Sequence, residues 1–153
     1  MTNEAIPEDA ELLVEALAGV QVTTWLSRES WDILVTNRRS IFIRRSKGIG
    51  RTIAITATLG PSLGHVFGAF TSGGTPNAKE KEIKESEIEA FRQDAVDFFE
   101  TPRPQFPDCR VKNPFLSPTQ ITLGDKIWKF RFTYKQYKRF VAIRDSILSE
   151  SGD

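Results

Sequence analysis

Two side chains in this sequence have the chemistry of a nucleophile and a base, Cys109 and His65, and each is the only residue of its type in the chain. Acyl transfer by such a pair needs the thiol and the imidazole within hydrogen-bond reach, and neither residue is flanked by a local signature of a catalytic cysteine or histidine. The plainer reading is one loop histidine and one small buried thiol. A histidine-rich metal site is excluded within this chain, and a structural zinc site is short of ligands. Lys47-Gly48-Ile49-Gly50-Arg51 lacks the further glycine and the helix start of a dinucleotide fingerprint, and Gly60 to Gly68 contains no Gly-Lys-Ser or Gly-Lys-Thr ending for a phosphate loop. Glu85 and Glu89 lie four apart, yet the repeated charges around them describe a solvated helix face rather than an acid–base pair. These residues predict a protein that is not an enzyme and carries no metal or cofactor.

Charge is the next chemistry to weigh. The net charge of +1 gives the molecule no overall field to gather nucleic acid or an anionic membrane, so an electrostatic partner must meet a local patch. Arg38, Arg39, Arg44, Arg45, Lys47 and Arg51 gather around an early hairpin and form the candidate anionic-ligand surface. A later stretch carries Glu80, Glu82, Glu85, Glu87, Glu89, Asp94, Asp97 and Glu100. Two readings of the basic hairpin follow. It meets phosphate head groups, each cation contributing about 1 kcal/mol near an anionic membrane, or it is the solvated side of an amphipathic hairpin facing the acidic helix of the same molecule. Specific nucleic-acid binding is not expected, because the aromatics fall at core positions instead of alternating with the basic cluster.

The elements that must position these residues fit one domain, since a chain of about 150 residues hides roughly 70% of its unfolded surface. Eleven Phe and three Trp predict an aromatic core. Leu12, Leu13, Ala16, Leu17 and, just beyond, Val20 recur at roughly helical spacing, with Pro7 suited to a first helical turn and Gly19 to ending it, which predicts an N-terminal helix over 8–18. Strands are expected at Val20 to Leu26, Trp31 to Thr36 and Ser40 to Ser46, the last two joined by a tight turn at Asn37. The segment from Thr52 to Thr71 has no charged residue and the length of a membrane span, but Gly, Pro, Ser and Thr dilute its hydrophobicity. It opens an insertion over 58–107: a Gly-rich run, a charged helix with a capping box at Ser86 to Glu89 and an apolar face of Ile88, Phe91, Ala95, Phe98 and Phe99, then a Pro-rich loop. Residues 108–149 read as closing strands, Cys109 to Phe115, Pro118 to Leu123 and Ile127 to Thr133, with a Gly124-Asp125 hairpin turn. A second capping box at Thr133 to Gln136 starts an amphipathic C-terminal helix. The absence of a secretory pattern at the N-terminus and the single cysteine point to a cytoplasmic protein, with peripheral membrane association as an option.

Ile33-Leu34-Val35-Thr36-Asn37-Arg38-Arg39-Ser40-Ile41-Phe42-Ile43, followed late in the chain by a Trp128, Phe130, Phe132 strand and an amphipathic helix, resembles the bacterial PH-like and GRAM-like domains of the pleckstrin-homology superfold. The likeness covers Val20 to Ala57 and Cys109 to Ser149. It implies an α+β fold, a mostly antiparallel roll or barrel with a C-terminal helix and the Gly-rich and helical segment as an insertion. It also implies a non-enzymatic binding module for a protein partner or a peripheral membrane component. Fold-level likeness carries no residue-level site.

Overall fold

A computed structural model describes residues 9–24, 26, 28–45 and 81–151. Its elements are β1 (Leu12–Thr23), β2 (Arg28–Thr36), β3 (Arg39–Arg45), β4 (Lys81–Glu82), α1 (Glu85–Asp94), β5 (Ala95–Pro102), β6 (Cys109–Arg110), β7 (Thr119–Leu123), β8 (Lys126–Arg131) and α2 (Tyr134–Ser151). Seven strands run in the order β5-β3-β2-β1-β8-β7-β6, and β4 pairs the start of β1. Every ladder among the described residues is antiparallel.

Both faces of the sheet are covered near its middle. Leu34, Ile41 and Ile43 pack with Leu13, Ala16, Ile83, Ile88 and Phe91 on the α1 side. Trp31, Ile33, Val35 and Phe42 pack with Trp128, Phe130, Phe140 and Ile147 on the α2 side. This explains why β2 and β3 read as near-continuous apolar runs: a strand buried on two faces has no solvent side to make polar. The α2 side is the aromatic core anticipated from composition. Trp31 lies 4.8 Å from Trp128 and 5.2 Å from Phe130, ring centre to ring centre, and Phe132 stacks on Phe140 of α2 at 4.7 Å.

The N-terminal helix over 8–18 is overturned, for that stretch is strand β1. Its register against β2 shifts between Leu13 and Glu15 and again between Leu17 and Val20. Each shift breaks the two-residue alternation of a strand, so Leu13 and Ala16 of one core and Leu17 and Val20 of the other fall three apart, and the two buried faces together imitate a helical stripe. Gly19 marks the second bend with φ of 67° instead of ending a helix. Its N–H donates to the buried Asp32 carboxylate at 3.0 Å.

The charged helix is real but shorter and differently capped than its sequence suggests. Its cap lies two residues earlier than expected, at Lys84, whose N–H donates to Glu87 at 3.0 Å, while Glu89 pairs Arg92. It stops at Asp94. Ala95 to Phe99, expected on the helix, belong to β5, which pairs β3 with Phe99 opposite Phe42 and Phe98 opposite Ile43. As strand neighbours Phe98 and Phe99 reach opposite cores, which one helical face could not arrange. The first closing strand is also shorter, Cys109–Arg110 where Cys109 to Phe115 was expected, and its remainder becomes a turn.

Candidate functional site

The six cations of the early hairpin have separate fates. Arg38 is exposed at the tip, and Lys47 and Arg51 lie outside the described residues. Arg39, Arg44 and Arg45 are turned to carboxylates of their own chain. Arg39 grips Glu11 with Nε at 2.9 Å and Nη2 at 2.7 Å, and also reaches Glu85 at 2.7 Å and Glu100 at 2.9 Å. Burial alone would push the Glu11 carboxyl up, but hydrogen bonds from Arg39 and Thr36 outweigh it and hold Glu11 below the ordinary glutamate range. The hydrogen bonds to Glu11, Glu85 and Glu100, Glu11's first, push the Arg39 guanidinium up against the effect of burial and keep it charged. Arg44 pairs Glu29 at 2.9 Å and Asp97 at 2.8 Å, and Arg45 pairs Asp32 at 3.0 Å. Burial pushes the Asp32 carboxyl up against the pull of Arg45 and the Gly19 N–H.

The two residues with nucleophile and base chemistry are not placed together by anything described. His65 lies outside the described residues. Cys109 is half-buried, donates to the Pro107 carbonyl at 3.1 Å and has its thiol pushed up to about 12 by burial, which leaves almost no thiolate at neutral pH. Among the described residues no group of three or more His, Cys, Asp or Glu could hold a metal ion. No helix among them is long and apolar enough to cross a membrane, and the Thr52 to Thr71 segment lies outside them.

A different surface collects cations and leaves them exposed. In β8, Trp128 and Phe130 point into the core while Lys129 and Arg131 point out. Register places Arg110 of β6 beside Gln120 of β7, and Gln120 beside Lys129 of β8, so the three form a row across the outer face. Lys126 lies 4.0 Å over the Trp128 ring. Arg110, Lys112, Lys126, Lys129, Arg131, Lys135 and Lys138 are all exposed, and none has an ion pair among the described residues.

This face borders two features that offer shape. One is a groove of about 500 Å³ whose lining includes Val22, Glu29, Lys126, Ile127 and Trp128. It lies beyond the short β1–β8 ladder, which among the described residues pairs Gln21 with Arg131 and Val22 with Phe130. Glu29 is already engaged by Arg44, so the lysines set the sign of its rim. The Trp128 indole N–H is buried without a hydrogen-bond partner among the described residues.

The other feature is the turn from Asn113 to Ser117. The N–H groups of Leu116 and Ser117 both donate to the Asn113 carbonyl, at 2.9 and 3.0 Å, and the Phe115 N–H donates to the Asn113 side-chain oxygen at 3.0 Å. That bonding holds Phe115 and Leu116 outward, 78% and 82% exposed. Phe115 stacks on Tyr134 at 5.7 Å, Tyr134 on Tyr137 at 6.4 Å, and the Lys138 ammonium sits 4.6 Å over Tyr134. The start of α2 is fixed beside the turn by the expected capping box: Gln136 donates its N–H to the Thr133 hydroxyl at 3.2 Å, and the Thr133 N–H donates to the Gln136 side chain at 3.0 Å.

Sequence reasoning looked for a patch in adjacent arginines and missed one assembled by register. The signal was present: from Cys109 to Arg139 the chain has Arg110, Lys112, Lys126, Lys129, Arg131, Lys135, Lys138 and Arg139 against Asp125 alone. Arg139 is the member of this series that is spent, on Glu15 of β1. Comparison with protein-family models, with curated proteins and with solved structures finds no match for the chain.

Proposed function

We propose that the chain is a PH-like interaction module that docks a protein partner or a peripheral membrane component through the cationic outer face of β6, β7, β8 and the start of α2. The observation that carries the reading is the contrast in charge use. Where this protein uses cations for its own architecture it supplies carboxylates to meet them, and on this face it supplies none among the described residues. Exposed like charges held on a rigid sheet repel one another, and an acidic partner relieves that repulsion. The PH-like element of the reading is supported by the β2–β3 hairpin, the seven-strand antiparallel path and a C-terminal helix packed on the sheet directly after the Trp128 strand.

An NMR titration of the full chain with poly-L-glutamate tests the site. Amide shifts gathered on Arg110, Gln120, Lys129, Arg131 and Lys135, and suppressed by salt, are the expected result. Shifts centred on Arg38, or scattered over the whole surface, count against it.

A further inference from the structure

We infer that the Asn113 to Ser117 turn is a membrane-insertion tip, seating Phe115 and Leu116 in the interfacial region of an anionic bilayer while the surrounding cations engage lipid phosphates. This rests on the docking face proposed above and commits it to one occupant. Three observations favour a bilayer over a protein surface. First, the two most exposed large apolar residues of the described chain are neighbours on a reverse turn that projects them from the sheet, a shape suited to a soft apolar phase.

Second, the aromatic series leading back from the tip is graded. Phe115 stacks on Tyr134 and Tyr134 on Tyr137, which places phenol groups behind the apolar tip, as amphipathic rings are placed at a membrane boundary. Third, the charge around the tip has one sign. Lys112 leads into the turn, Arg131 ends β8 beside the strand that leaves it, and Lys135 and Lys138 lie on the first turns of α2. Asp108, just before β6 and level with Thr122, and Asp125, in the β7–β8 turn, both sit at the opposite end of that hairpin. An apolar tip ringed by cations that have no ion pair among the described residues is complementary to anionic lipid, because insertion and phosphate contact occur at one depth.

Co-sedimentation of the full chain with phosphatidylcholine vesicles, with and without phosphatidylserine, tests the inference at low and at physiological salt. Binding is expected only with phosphatidylserine. Phe115→Ser/Leu116→Ser should weaken it roughly 30-fold or more, the loss expected when two large side chains no longer leave water. Leu116→Ser alone, which leaves the Tyr134 stack intact, should give an intermediate loss. Both variants should titrate with poly-L-glutamate as the parent does, since the cations are untouched. Vesicle binding that is indifferent to Phe115→Ser/Leu116→Ser overturns the insertion tip. Failure to bind vesicles while poly-L-glutamate still maps to β6–β8 also overturns it, and assigns the face to an acidic protein. Failure with both probes removes the docking face as well.

Discussion

Two regions of this protein hold basic residues and treat them in opposite ways. In the β2–β3 hairpin, Arg39, Arg44 and Arg45 are internal fasteners, whereas the β6–β8 face and the start of α2 keep their cations in water. Topology makes the difference. β3 lies next to β5, which delivers Asp97 opposite Arg44 and Glu100 opposite Ile41, and α1 adds Glu85. β6 and β7 are bordered by Asp108 and Asp125 at one end only, and neither makes an ion pair with a cation of this face among the described residues. Residue type leans the same way without following the division strictly: the three fasteners are all Arg, whose planar guanidinium satisfies several carboxylates in a fixed geometry, while the solvated cations are five Lys with Arg110 and Arg131. Crowding of cations along a sequence is therefore a poor guide to a binding patch unless the strands beside them are known.

Removing one cation from each region should break or confirm that contrast. Arg39→Ala leaves Glu11, 7% exposed, as a buried carboxylate without its partner, and should destabilise the fold by about 3 kcal/mol in urea unfolding. A loss below about 1 kcal/mol would mean that this end is no more than a solvated ion cluster. Glu11→Gln is the milder probe, expected to cost about 2 kcal/mol at neutral pH. Because the folded-state pKa of Glu11 is lowered from 4.5, its contribution is complete above that ordinary value and disappears as pH falls through the lowered one. The gap between Glu11→Gln and the parent should accordingly close in acid. Asp32 has the opposite sign, its burial penalty being present above its raised pKa and relieved as pH falls through it, and it remains in both proteins. Smallest is Lys129→Gln, which should leave stability unchanged to within about 0.5 kcal/mol while reducing affinity for poly-L-glutamate. A larger destabilisation would place Lys129 with the fasteners.

Two features set by a few consecutive residues were legible in the sequence, although a third, the cap expected at Ser86 to Glu89, forms at Lys84 and Glu87 instead. The Gly124-Asp125 turn forms with Gly124 at φ of 63°, and the Thr133 to Gln136 capping box closes as expected. Both depend on backbone needs that only neighbours can meet. Features set by distant pairing were not. The bends of β1 disguised a strand as a helix, and β5 follows α1 without a break, its strand character supplied by β3, whose paired residues lie far earlier in the chain, as Arg45 does from Ala95 and Arg39 from Pro102. The outward direction of Lys129 and Arg131 was plain from alternation with Trp128 and Phe130. Their neighbourhood with Arg110 was not, because it exists only through the β6–β7–β8 register.

Strand β1 has one more consequence. Its residues belong to both cores, Leu13, Ala16 and Ala18 to one and Leu17, Val20 and Val22 to the other, and it pairs with β2, β4 and β8. Neither core can loosen without pulling on a wall that it shares with the other. The described part of the molecule should therefore melt in one transition, and the slowest-exchanging amides of its two sides should report one common opening.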